Sequence, residues 1–306
     1  MLEFRNVTFK YDEDEEPMMR DLSFSVGDGE FVSIIGASGC GKSTIFRLIN
    51  GLEKPQSGEI LVNGKPIETQ KNYSSFMPQK DLLLPWRTIE KNVCLPMEIM
   101  KVPADKQKKA CKEALEQVGL SGYADKYPKD LSGGMKQKLA LCCALIHAPR
   151  VLLLDEPTTG VDPVSRKEFW SMLQRLRHDY GITIIASTPY MDEASWCDRI
   201  SLVQDGSLLR TDTPDGIRRA YVGRLYAVRC ADMRRLAVAL KECRAVATSF
   251  SFGDSFHVTL SPGATVAGLD ECLLRLGLGQ VEISETSPSV EDCFMSLMGK
   301  DVGAES

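Results

Sequence analysis

The residues that most constrain the chemistry of this chain stand in the run GASGCGKST, residues 36–44. Gly36, then Ala37, Ser38, Gly39 and Cys40, then Gly41, Lys42 and Ser43 satisfy G-x-x-x-x-G-K-[ST], with Thr44 following. That spacing suits a polyphosphate. The glycines let consecutive backbone N–H groups turn inward, the lysine spans the β- and γ-phosphates, and the serine hydroxyl can coordinate Mg2+. The motif lies between an apolar run, EFVSIIG, and the helical pattern STIFRLINGL, so the partial positive charge of a helix N-terminus is added to the same point. A glycine-rich turn of purely structural use is the competing reading, and the strand–loop–helix context argues against it.

A second run, VLLLDEP, carries four apolar residues to a strand's end and then two carboxylates. Asp155 suits a water-mediated Mg2+ contact, and Glu156 can polarise an attacking water as a general base. Paired acids alone more often belong to a solvated loop; following a buried strand in a chain with a phosphate loop, they read as a site. In LSGGMKQKLALCCALIHAP, Ser132 can cap a helix whose first turn Gly133 and Gly134 keep bare, leaving backbone donors pointing outward. Lys136 and Lys138 oppose that helix dipole by about a few tenths of a kcal/mol, a misfit that an approaching polyphosphate relieves.

The elements that must position these groups show in the apolar pattern. Residues 30–36, 151–156 and 182–188 read as strands buried on both faces of a parallel sheet, the mark of an α/β layer fold. Residues 2–9 and the hydrophobics near Ile60 read as more exposed, antiparallel strands, and residues 87–127 as a mostly helical insertion. Beyond Tyr221 the order becomes β-α-β-β-α-β with a trailing helix, a split βαβ or ferredoxin-like arrangement. The chain has 306 residues, longer than a usual single domain of about 100–200. Two domains are expected, residues 1–220 and a small α+β domain over 221–306.

Hydrophobic residues make up 43% and charged residues 26%, ordinary for a globular protein, and the net charge of −5 gives no general attraction to nucleic acid. Ten cysteines stand without CxxC pairs or zinc spacing and read as reduced, buried small hydrophobes. The N-terminus has no apolar signal core, and no window reaches the roughly 18 apolar residues of a membrane span, so a chain that neither crosses a membrane nor is secreted is expected.

Together these motifs resemble the nucleotide-binding subunit of ATP-binding cassette (ABC) transporters over about residues 1–220. LSGG carries the specificity, because kinases, GTPases and helicases with the same phosphate loop lack it. The resemblance implies a P-loop NTPase fold with a RecA-like parallel-sheet core, an N-terminal antiparallel subdomain and a helical subdomain over about residues 87–145. It implies a head-to-tail dimer with two ATP molecules, each between one subunit's phosphate loop and the other's LSGG surface, docked with integral-membrane permease subunits on the cytoplasmic face of the cell membrane. By the same resemblance Tyr11 stacks on adenine, Gln79 links Mg2+ and the attacking water to the membrane partner, and Asp162 signals across the dimer. Ser43, Gln79 and Asp155 form the Mg2+ set, Asp155 through water, and Lys42, Gln79 and Glu156 carry the hydrolysis.

Two subfamilies divide the resemblance. Residues 2–98, with SGCGKSTIFRLINGLEKPQSGEILVNGKPI and PQKDLLLPWRTIEKNV, resemble ATPases of importers for nitrate, sulfonate or taurine; LSGGMKQKLALCCALIHAPRVLLLDEPTTGVDPVSRKEFW, STPYMDEASWCDRI and PSVEDCFMSLMG resemble ATPases of drug-type exporters. By the same resemblance Leu82 to Leu84 and Trp86 offer apolar surface to the membrane subunit's coupling helix, which favours an importer partner, whereas the C-terminal extension favours an exporter partner and tips the reading slightly toward export. Where most of the family places a phosphate-sensing histidine, this chain has Pro189. Proline presets φ for a first helical turn, and Thr188 before it and Asp192 and Glu193 after it favour a helix start. Pro189 is therefore expected to initiate a helix, with Thr188 or Tyr190 able to stand in for the missing donor. A soluble cassette ATPase acting on ribosomes or DNA, and a regulatory module that binds ATP without hydrolysis, are the competing functions.

Overall fold

The computed structural model describes residues 1–12, 15–70, 73–80 and 82–301, and the chain divides into two compact units, Met1–Pro214 and Asp215–Ser306. In the first unit β1 (Leu2–Phe9) and β2 (Met19–Val26) form an antiparallel pair, followed by β3 (Phe31–Ile35), α1 (Lys42–Ile49), β4 (Ser57–Val62), β5 (Lys65–Pro66) and β6 (Ser74–Met77). Three helices come next: α2 (Ile89–Ile99), α3 (Ala104–Gln117) and α4 (Gly133–Leu145). β7 (Val151–Asp155), α5 (Pro163–Tyr180), β8 (Thr183–Ser187), β9 (Arg199–Gln204) and β10 (Ser207–Asp212) complete it.

Two sheets organise this unit. An antiparallel sheet runs β2-β1-β4-β5, and a six-stranded sheet runs β10-β9-β3-β8-β7-β6, parallel except for β10. β3, β7 and β8 are buried at every position, which explains their uninterrupted apolar runs. β1 instead alternates, sending Leu2, Phe4, Val7 and Phe9 into the core with Ile45, Phe46 and Leu48 of α1; the expected exposure of this strand holds for one face only. A second apolar cluster joins α2, α3 and α4 to the far side of the parallel sheet through Val93, Leu115, Leu139, Leu152 and Trp170. Parallel strands bring their carboxyl ends to one edge, and the residues after β3, β7 and β8 emerge together there.

The second unit follows α6 (Pro214–Arg219) with β11 (Leu225–Arg229), α7 (Met233–Glu242), β12 (Val246–Phe252), β13 (Ser255–Leu260), α8 (Val266–Arg275), β14 (Glu282–Thr286) and α9 (Val290–Asp301). Its sheet order is β12-β13-β11-β14, antiparallel throughout. Leu236 and Leu240 of α7 and Leu269 and Leu273 of α8 pack on Val228 and Val258. At the start of α9, Ser289 and Asp292 bond reciprocally as a capping box, and the Asp292 carboxylate also meets His257 Nδ1 at 2.8 Å. The expectation of ten reduced cysteines fails here. α7 and α8 lie side by side on the sheet and bring Cys243 and Cys272 to a Cα separation of 6.1 Å, where they are disulfide-bonded. Cys40, Cys94, Cys111, Cys142 and Cys197 are free and buried, as expected.

Candidate functional site

The loop after β3 has the conformation its glycines permit. Gly39 and Gly41 adopt φ of 84° and 102°, and a Cβ on Gly36 would overlap the Val203 carbonyl oxygen and the Cys40 sulfur. Ala37, Ser38 and Gly39 face solvent, while Cys40 is buried, with its thiol pKa raised by that burial. Lys42 is buried at 6% exposure, and its ammonium donates to the carbonyls of Gly36 at 2.9 Å and Ala37 at 3.0 Å. The Ser43 side chain is exposed at the mouth. Thr44 points inward, donating to Met18 Sδ at 3.1 Å, and its hydroxyl lies 3.1 Å from the Tyr11 hydroxyl. Tyr11 is thereby placed beside the phosphate loop, edge-on to Phe9.

The acidic pair leaves the sheet at the adjacent strand. β7 and β8 are parallel partners whose last rung is Asp155 opposite Ser187. The buried Ser187 hydroxyl donates to Asp155 Oδ1 at 2.7 Å and accepts the Glu156 N–H at 3.0 Å. Glu156 itself has φ 47°, a left-handed conformation that costs a residue with a side chain on the order of 1–3 kcal/mol and persists where its surroundings impose it. It turns the carboxylate toward the phosphate loop. Oε2 accepts from Gln79 Nε2 at 2.8 Å and from the Thr159 hydroxyl at 3.2 Å, and Oε1 lies 4.0 Å from Lys42 Nζ. Lys42, Gln79 and the consecutive pair Asp155 and Glu156 thus converge from three separate segments.

Pro189 does not initiate a helix. The chain continues from β8 without regular structure until a 3-10 turn, Glu193–Trp196. The reason is Glu193, which is 3% exposed. Its carboxylate accepts from the Thr158 hydroxyl at 2.7 Å and from the Thr188 hydroxyl, with Arg166 3.9 Å away. Drawing Glu193 inward fixes the corner, and burial raises its pKa. Thr188 also accepts the Tyr190 N–H at 3.0 Å and is fully buried, so its hydroxyl is committed and does not replace the missing histidine. Arg166 lies over the Tyr190 ring, 4.1 Å from its centroid. This network and the Ser187 contact escaped the sequence reading. The only local signal was hydroxyls at 158, 187 and 188 beside acids or apolar strands.

Ser132, Gly133, Gly134 and Asp162 form a second cluster. Ser132 caps α4 by accepting the Met135 N–H at 3.3 Å, and Asp162 caps α5 by accepting the Ser165 N–H at 3.0 Å, a bond that lowers the Asp162 pKa. Gly133 stands open near the Gly160 carbonyl, but Gly134 is buried where a Cβ would come within 2.8 Å of Ser165 Cβ. It is small because α4 and α5 meet there, in addition to baring the helix tip. The expected dipole misfit is partly offset by the Lys138–Glu168 ion pair at 3.0 Å. Among the described residues no hydrogen bond or ion pair links this cluster to Lys42 or Glu156.

The donor set at the first cluster is a hydroxyl, a carboxylate and an amide oxygen from Ser43, Asp155 and Gln79, hard ligands of the kind Mg2+ takes. Among the described residues no helix is long and apolar enough to cross a membrane.

Comparison with known proteins gives a consistent picture. Residues 19–159 match the family described as ABC transporter. The Escherichia coli K12 protein named "Probable multidrug ABC transporter ATP-binding protein YbhF" is 33% identical over 291 residues, covering 93% of this chain and 50% of that protein; the chain spans half the length of this relative. The aliphatic sulfonates import ATP-binding protein SsuB 3 of Pseudomonas savastanoi pv. phaseolicola is 41% identical over 192 residues, 62% of this chain and 69% of that one. The dimeric structure of the ATP-binding cassette MJ0796 in a post-hydrolysis state bound to ADP and Pi superposes with a TM-score of 0.64 at 30% identity, covering 70% of this chain and 98% of that one.

Proposed function

This chain belongs to the ABC transporter family of ATP-binding subunits, and from that premise we propose that it binds and hydrolyses ATP to energise transport through separate membrane subunits. The observation that carries the proposal is the Glu156 carboxylate held between the Gln79 amide, the Thr159 hydroxyl and the Lys42 ammonium beside an open phosphate loop. In this reading Lys42 exchanges its two loop carbonyls for β- and γ-phosphate oxygens, and the N–H groups of residues 37–44 bond the remainder. Tyr11 borders the adenine side. Glu156 takes the proton of the attacking water while Gln79 orients that water. Ser43, Asp155 and Gln79 would hold Mg2+, which, when bound, offsets charge on the phosphate oxygens.

The second cluster acts in trans. Ser132, Gly133 and Asp162 are exposed, and among the described residues no hydrogen bond or ion pair joins them to Lys42 or Glu156 of their own chain. They support a head-to-tail pair in which the α4 tip of one copy completes the phosphate site of its twin. Leu82, 74% exposed, and Leu83, which also packs on the core, line a groove of about 270 Å³ with Met77, Leu95, Cys143 and His147, and Trp86 is 73% exposed nearby in sequence; these offer a surface for the permease subunit at the cytoplasmic face of the membrane. Residues 1–220 would form the cassette and residues 221–306 an accessory domain. Export of drug-like compounds is favoured over import of sulfonate-like solutes, because similarity to the multidrug-type relative runs over 93% of the chain and similarity to the sulfonate importer over 62%.

Phosphate release tests the reading. Wild type should hydrolyse MgATP, Glu156→Gln should bind it and trap a dimer with turnover lost, Lys42→Ala should lose binding, and Ser132→Arg should keep binding but not pair. Full turnover in Lys42→Ala and Ser132→Arg would overturn it. A regulatory, non-hydrolysing role is the second reading, favoured by Pro189 and the committed Thr188 hydroxyl; wild type that binds ATP yet releases no phosphate would establish it.

A further inference from the structure

We infer that Ser187 is a positioning residue for the acidic pair, its single hydroxyl setting both the free oxygen of Asp155 for the metal side and the backbone turn that aims Glu156 at the nucleotide side. The inference rests on the ATPase reading and concerns a residue that no motif of that reading includes.

Ser187 is the last residue of β8, and Ile184, Ile185 and Ala186 before it are fully buried and apolar. Space-filling at this position calls for alanine, as at 186. A hydroxyl with no exposure must find both a donor and an acceptor within the protein, and this one finds them on the two consecutive acids of the neighbouring strand. It donates to Asp155 Oδ1 at 2.7 Å, which occupies one carboxylate oxygen and leaves Oδ2 for a metal-bound water. It accepts the Glu156 N–H at 3.0 Å, and the Ser187 carbonyl lies 3.2 Å from that same nitrogen. Two acceptors on one residue therefore hold the peptide that enters the left-handed turn at φ 47°. That turn is what redirects the Glu156 side chain toward the phosphate loop. Without it, residues 155 and 156 would follow strand alternation to opposite faces of the sheet, and Glu156 would not reach Gln79 and Lys42.

A contrast on the central strand shows that a buried serine is not by itself enough. Ser33 of β3 is equally buried, but among the described residues its hydroxyl bonds no carboxylate and meets the Cys197 thiol instead. The register decides: the last rung of β7 and β8 sets a hydroxyl against an acidic pair leaving the sheet.

The test uses the full chain with Ser187→Ala and the near-isosteric Ser187→Cys, whose thiol is a weak donor and acceptor. A fluorescent ATP analogue is titrated with and without Mg2+, alongside kcat, KM and the thermal midpoint. Affinity without Mg2+ should stay at the wild-type value, because the phosphate loop is untouched. The gain in affinity on adding Mg2+ should fall about 10- to 100-fold in Ser187→Ala, the range seen when a partner behind a metal ligand is removed. KM for MgATP should rise with the lost affinity while kcat also drops, and Ser187→Cys should lie between. A wild-type Mg2+ gain and kcat in both variants would overturn the inference while leaving the ATPase reading intact. A joint fall of Mg2+-free affinity, midpoint and kcat would also overturn it, by showing a role in folding alone. A wild-type chain without Mg2+-dependent nucleotide binding would overturn both.

Discussion

Thr158→Val tests whether the buried Glu193 carboxylate governs the corner after β8. Valine keeps the shape of threonine and removes the hydroxyl that donates to Glu193 at 2.7 Å, at a position 1% exposed, so water cannot replace it. A hydrogen bond to a charged group contributes about 1.5–3 kcal/mol. For a unit of this size, Met1–Pro214, each kcal/mol moves the midpoint by about 2–4 °C, so Tm at neutral pH should fall by about 3–12 °C. The pH dependence follows from the raised Glu193 pKa, caused by burial and opposed by the Thr188 and Thr158 bonds. A carboxyl with a raised folded pKa contributes stability that is fully present below its unfolded value and lost as pH rises through the folded one. Removing Thr158 raises the folded value further and enlarges that loss. The gap between variant and wild type should therefore be smallest in acid, where Glu193 is protonated, and widen through the interval just above the ordinary carboxylate range. Circular-dichroism melts across that interval read the effect directly. In a Glu193→Gln background the Thr158→Val cost should shrink to that of a neutral bond, about 0.5–1.5 kcal/mol. Equal midpoints, a gap that widens toward acid, or an unchanged cost in the Gln background would refute the reasoning.

Gly134→Ala should destabilise by about 1–3 kcal/mol through overpacking, because its Cβ would come within 2.8 Å of Ser165 Cβ, part of a short side chain at a helix–helix contact; denaturant unfolding checks this. Gly36→Ala should abolish nucleotide binding in a filter assay, because the new methyl would overlap a backbone oxygen on β9 and force the phosphate loop out of shape. Pro189→His should raise the rate of phosphate release by on the order of 10²-fold if the site lacks a donor to the developing phosphate charge; an unchanged rate would show that another group already serves.

The strands that position the site were legible because burial on both faces leaves runs such as VLLLD with nowhere else to go, and the phosphate loop because its glycines and lysine have a single joint use. Ser132 as the α4 cap was legible for the same local reason. The Ser187 contact was not, since it depends on which rung of β7 faces which rung of β8, and period-2 alternation says nothing about register between strands 32 residues apart. Glu193 looked like a helix-favouring acid near Pro189, yet its pairing with Thr158 bridges 35 residues and took precedence over local helix propensity. The Cys243–Cys272 bond likewise comes from two helices sharing a sheet face, an arrangement that cysteine spacing does not encode.

The two carbonyls that hold the Lys42 ammonium occupy two of its three N–H groups. The third can meet an incoming anion before either bond is given up, so a polyphosphate can draw the cation outward in steps, each carbonyl bond replaced by one to a phosphate oxygen. A chain of phosphates, able to engage several loop amides in the same event, gains more from that exchange than a single sulfate or orthophosphate.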